Sequence, residues 1–109
     1  MTSIPVAIFR LLRAHIDSVE KLDVLLTLGT APDRSLPLDL LARSSRLPLV
    51  VARRLATELE ASGLVVMYAN HAARLEPARE SDQSVIDALI AHHELDRQAI
   101  LDALMGRPR

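Results

Sequence analysis

The sequence predicts one small, mainly α-helical domain carrying a single β-hairpin, with additional helices at its N- and C-terminal ends. Three observations carry this expectation. Half of the 109 residues are apolar, but there is no Trp and only one Phe and one Tyr, so a core must be packed from Leu, Val, Ile and Ala, a set that favours helices. Apolar positions recur at spacings of three and four along most of the chain. One short β-prone pair of runs, Leu64 to Tyr68 and Arg74 to Glu76, interrupts that rhythm.

In chain order, Pro5 to Ile16 places Ile8, Leu11, Leu12 and Ile16 on one helical face with Arg10 and Arg13 outward, and Pro5 suits the first turn. Asp17 is the expected cap of a second helix, with Glu20 three residues on. That helix carries Leu22, Leu25, Leu26 and Leu28 and is expected to stop at Gly29. Thr30 to Ser35 is turn chemistry, after which Pro37 opens a short helix with Leu38, Leu40, Leu41 and Ala42. A tight polar turn, Arg43 to Arg46, precedes a helix opened by Pro48. Its stripe is Val51, Ala52, Leu55 and Leu59, with Arg53, Thr57 and Glu60 opposite. Ser62-Gly63 ends it, the hairpin follows with Asn70 near its tip, and Asp82 to Met105, free of Gly and Pro, reads as one long helix. Two short helices cannot hide their stripes alone, so a third helix and the hairpin must close the core, which is winged helix-turn-helix topology. The expected divisions are an N-terminal amphipathic helix (1–16), the winged helix-turn-helix (17–78) and a C-terminal dimerisation helix (79–109). The expected core is Leu22, Leu25, Leu26, Leu41, Val51, Leu55, Leu59 and Leu64.

Composition excludes several function classes. Without Cys there are no disulfides, thiolate metal sites or cysteine nucleophile. Arg10 and Arg13 interrupt the most apolar stretch, so no membrane span is expected, and without a signal-peptide pattern the expected location is the cytoplasm. Charge is uneven: the net −1 conceals seven basic and four acidic residues between Arg34 and Arg79, a local +3 that suits phosphate contacts.

Leu40 to Pro48, followed by Val51, Leu55, Leu59 and Glu60-Ala61-Ser62-Gly63-Leu64-Val65, resembles the winged helix-turn-helix regulators of bacteria, of which the MarR-like proteins are a familiar group. The resemblance covers roughly Ser18 to Pro77. It implies duplex DNA in the major groove against the helix from Pro48 to Ala61, with the hairpin on a minor groove or phosphates. On that basis Arg53 or Arg54 reads a guanine edge, Thr57 bonds a phosphate, and Arg43, Arg46, His71 and Arg74 meet the backbone. Leu49 and Val50 depart from the usual polar start of such a helix. They fit thymine methyl groups or, alternatively, a protein partner.

Other constellations reduce to structural roles. His92, His93 and Asp96 lack further ligands for a metal site, and Asp17, Glu20 and Asp23 fall where the helix dipole favours acids. Ser44-Ser45 lacks a nucleophile elbow, and the three glycines form no phosphate loop, so the expectation is a non-enzyme without cofactor or metal. The C-terminal helix has more apolar surface than a small core covers. Ile8, Leu12, Val85, Leu89, Ile100 and Leu104 are therefore the expected homodimer interface, the alternative being a helix folded back on its own domain.

Overall fold

The computed structural model describes residues 4–69 and 71–106. Among these the chain is mainly helical, with a small antiparallel sheet. The order is α1 (Val6–His15), α2 (Val19–Thr30), a 3₁₀ turn (Pro32–Arg34), β1 (Ser35–Pro37), α3 (Leu38–Ser45), α4 (Leu49–Ala61), β2 (Val65–Tyr68), β3 (Ala72–Leu75), α5 (Glu80–Leu95) and α6 (Arg97–Met105). Asn70, expected at the hairpin tip, lies outside the described residues.

Helix α2 is the centre of the molecule. Leu22, Val24, Leu25, Leu26 and Leu28 are all buried, so the helix is covered around most of its circumference, with α3, α4, β3 and α5 packed against it. Its cap is Ser18, not the expected Asp17: extended Ser18 accepts a hydrogen bond from the Lys21 N–H at 3.2 Å. Asp17 instead pairs with the Lys21 ammonium at 3.1 Å. Nor does Gly29 stop the helix, which continues to Thr30. A Cβ at Gly29 would lie 2.5 Å from Ile90 Cδ1 and 3.2 Å from Ile90 Cγ1, so the missing side chain lets α5 approach α2.

The 3₁₀ turn holds Asp33 and Arg34 at φ 55° and 54°, a left-handed conformation that is costly for residues other than glycine. The Arg34 guanidinium is fixed to Asp87 of α5 at 2.6 Å. The chain then forms β1, where a turn and a helix start were expected. Leu36 stands opposite Ala73, and Pro37, which has no N–H to offer, is tolerated because β1 is an edge strand in the order β1-β3-β2. Helix α3 absorbs Arg43 to Ser45, and the turn reduces to a left-handed Arg46 at φ 58°, whose N–H reaches back to the last carbonyls of α3. The β2–β3 loop spans three residues, with His71 left-handed at φ 61° and its N–H donated to the Tyr68 carbonyl. Such a closing residue matches the twist of the two strands.

The long C-terminal helix is broken. Asp96 leaves the helical conformation, and its carboxylate accepts from the Ala99 N–H at 3.1 Å, capping a separate α6. A continuous helix from Asp82 to Met105 would be about 36 Å long. The break turns Ile100 and Ala103 back onto α1 and α5, where they are buried. This corrects the expected dimer interface. Ile8, Leu12, Leu89 and Ile100 are completely or almost completely buried within the chain itself, and Val85 and Leu104 pack half-buried against the same core. The surplus apolar surface is covered by the chain's own folded-back helices. Of the expected core, only Val51 is not fully buried.

Lys21 is the one charged side chain buried among the described residues, and it joins α2 to α4 through Glu58 at 2.7 Å as well as to Asp17. Burial alone pushes its ammonium toward neutrality, but the hydrogen bonds to Glu58 and Asp17 outweigh this and hold its pKa above the ordinary lysine value. The hydrogen bond from Lys21 holds the Asp17 carboxyl below the usual carboxylate range.

Substitution tests both the Lys21 ion pairs and the close approach at Gly29. The double variant Asp17→Asn/Glu58→Gln leaves a buried ammonium without an anionic partner and should lose about 1–3 kcal/mol in urea unfolding at pH 7. Lys21→Met should stay within about 1 kcal/mol of the parent, since an apolar replacement removes the buried charge itself. The Asp17 contribution is present above the ordinary carboxylate pKa and fades as pH falls through the lower folded value; that of Lys21 is complete below 10.5 and fades as pH rises through the higher folded value. In the second test, Gly29→Ala should destabilise by about 1–2 kcal/mol through overpacking, more than the helix-propensity gain returns. Ile90→Val, which deletes the atom in closest conflict, should reduce that loss in a double-mutant cycle of thermal unfolding.

Candidate functional site

The surface that gathers most of the singled-out residues is the corner formed by the end of α3, the Arg46 turn and α4. The stripe of Ala52, Leu55, Ala56 and Leu59 fixes the rotation of α4 by burying itself, which turns Leu49, Val50, Arg53, Arg54 and Thr57 outward. Arg43 and Arg46 at the close of α3 are exposed beside them. Four exposed guanidiniums therefore lie on α4 and the end of α3, spread along α2: Arg54 lines a cleft with Asp17, Ser18 and Glu20 at its start, and Arg46 lines one with Thr27 and Thr30 at its end.

Their availability differs. Arg53 and Arg46 take part in none of the ion pairs between described residues. Arg43 lies 3.8 Å from Asp39, and Arg54 lies 3.8 Å from Glu58, both one helical turn away on exposed surface. Contacts that long and that exposed hold their charges only loosely. Thr57 is more constrained, because its hydroxyl donates to the Arg53 carbonyl at 2.8 Å. In this arrangement its exposed oxygen faces outward as an acceptor.

The acidic side chains near the corner have structural duties. Glu58 neutralises Lys21, and Glu60 accepts from the Met67 N–H at 2.9 Å, fastening the start of the hairpin to α4. Those roles explain why α4 carries as many acidic as basic residues, a balance that sequence composition leaves unaccounted for.

The corner is also apolar. Val50 is 74% exposed, Leu49 45% and Leu40 of α3 41%, so three large aliphatic side chains stand among the arginines. Leu40 was not among the expected site residues; its position beside a buried Leu41 on a short helix is the signal that could have found it.

The hairpin contributes less uniformly. His71 sits exposed at the turn, and its carbonyl accepts from the Leu38 N–H at 2.8 Å, which ties the hairpin to the first turn of α3. Arg74 belongs to a different neighbourhood. It is opposite Ser35 and Val66, lies 3.7 Å from Glu76, and lines a cleft of about 240 Å³ with Arg34, Glu76 and Gln83 to which α4 contributes no residue.

Among the described residues no three His, Asp or Glu side chains converge on a metal position, and no helix is long and apolar enough to cross a membrane. Asp96 is engaged as the cap of α6, while His92 Nε2 is buried without a hydrogen-bond partner among the described residues. Burial and the neighbouring Arg97 push His93 below its ordinary pKa, against the opposing pull of Asp23 and Glu94. Compared with protein-family models and with curated proteins, the chain matches none.

Proposed function

We propose that this protein is a winged-helix DNA-binding protein of the transcription-regulator type, acting without catalysis and without a cofactor, with α4 in the major groove. The observation that carries the reading is the exposure of Arg43, Arg46, Arg53 and Arg54 on α4 and the end of α3, with Arg46 and Arg53 in none of the ion pairs between described residues. The order α2-β1-α3-α4-β2-β3 with strand order β1-β3-β2 supports it, because it presents a second helix and a hairpin side by side, as winged-helix proteins do. Arg53 is the strongest candidate for a bidentate guanine contact, with Arg43, Arg46, Arg54 and His71 toward phosphates. Arg74 stands apart from this group.

Two copies would place two such helices on two half-sites. With Ile8, Leu12, Leu89 and Ile100 buried internally, the apolar side chains of the terminal helices left for a second copy are Val6, Phe9, Leu95 and Met105. Leu95, 82% exposed at the α5–α6 break, is the most prominent.

A second reading rests on Leu40, Leu49 and Val50. Three exposed aliphatic side chains at one corner suit a protein partner as well as thymine methyls.

Fluorescence anisotropy with duplex DNA from around the protein's own gene, and a scrambled control, tests the first reading. The expected result is preference for one duplex, with log affinity falling against log salt by about 0.9 per phosphate contacted. Arg53→Ala should weaken binding by about 1–3 kcal/mol with the fold retained. Absence of binding to any duplex at low salt would overturn DNA recognition and favour the protein-partner reading. In light scattering, Leu95→Glu/Met105→Glu should convert the dimer to monomers; a parent that is already monomeric overturns the two-copy part alone.

A further inference from the structure

A second feature lies on the opposite side of α2, in a cleft of about 410 Å³ between α2, the end of α3 and the α5–α6 junction. That volume is at the lower end of small-molecule sites. Its charged lining consists of Asp23 from α2, Arg46 after α3, and Glu94 and Arg97 from the junction, with Thr27 and His93 between them. None of these four charged groups enters the ion pairs formed between described residues, although Lys21, Arg34, Arg43, Arg54 and Arg74 all do.

Two guanidiniums and two carboxylates around one cleft select by charge pattern. A simple anion would be attracted by Arg46 and Arg97 and repelled by Asp23 and Glu94; a simple cation meets the reverse. Only Leu26 and Ile90 are apolar, so a hydrophobic or aromatic ligand would leave the polar lining desolvated and unpaired. A molecule bearing both a carboxylate and an ammonium can satisfy both sets, with the planar guanidinium fork suited to the carboxylate. The walls are also held together without using the charged groups, since the Ser45 hydroxyl donates to Thr27 Oγ1 at 3.4 Å across α3 and α2.

We propose that this cleft binds a small zwitterion of the amino-acid or dipeptide class, its carboxylate held by Arg46 and Arg97 and its ammonium by Asp23 and Glu94. The site stands on the cleft alone and does not depend on DNA binding, although Arg46 borders both surfaces.

The test is an amide-resolved NMR titration of the full chain with each protein amino acid and with glycylglycine, alongside acetate and methylammonium as half-ligands. The expected result is saturable shifts at Asp23, Thr27, His93 and Arg97 for at least one zwitterion, with affinity tenfold or more above either half-ligand. Asp23→Asn and Arg97→Gln, each checked by its unperturbed spectrum elsewhere, should each weaken binding about tenfold or more, as expected for loss of a charge-assisted hydrogen bond. Because Arg97 is exposed, its variant keeps the test decisive if Asp23→Asn disturbs the fold. Absence of saturable shifts with every zwitterion overturns the proposal. Acetate binding as tightly as the best zwitterion overturns it in favour of a plain anion site, and unchanged affinity in both variants overturns the assignment to this cleft.

Discussion

Burial of α2 is the constraint on which the rest of this structure depends. A helix with Leu22, Val24, Leu25, Leu26 and Leu28 all removed from water must be covered on several sides at once. Aliphatic burial of this kind supplies the main favourable term in a chain with almost no aromatic residues. The covering elements are α3 and α4 on one side, and the sheet and α5 on others. Gly29 permits the approach of α5, and Lys21 is accommodated at the covered surface because two carboxylates meet it there.

The surface chemistry is a consequence of that packing. Once Ala52, Leu55, Ala56 and Leu59 face α2, the remaining positions of α4 have only one direction to point, and Arg53, Arg54, Leu49 and Val50 become a common surface with the end of α3. Helix α2 likewise separates two regions of different character. One is the arginine and aliphatic corner at α4; the other is the charge-balanced cleft against α5 and α6. Arg46, left-handed at the end of α3, borders both, so a change in its surroundings on one side bears on the other.

Strain and its anchors are local to the connections. Asp33 and Arg34 are held in the left-handed region, and the Arg34–Asp87 ion pair spans from that turn to α5. The hairpin is fastened twice, by Glu60 to the Met67 N–H and by the His71 carbonyl to the Leu38 N–H. These contacts connect α4 and α3 to the sheet through hydrogen bonds, while the core beneath provides the apolar contact.

What the sequence by itself determined is the set of local choices. Spacings of three and four identified the helices and their buried faces, the prolines marked where α1, α3 and α4 begin, and outward Arg53 was legible from the stripe opposite it. These follow from periodicity, which depends only on neighbours along the chain. Only the tertiary structure decided the rest. Ser35-Leu36-Pro37 is a strand solely because β3 lies beside it. Gly29 serves close packing and does not end the helix, because Ile90, distant in sequence, occupies the space its side chain would need. Asp96 breaks an otherwise uninterrupted helical pattern, and the break lets the terminal helices cover one another inside one chain, burying Ile8, Leu12, Leu89 and Ile100. Periodicity states which face must be covered, but the partner that covers it is a property of the whole fold.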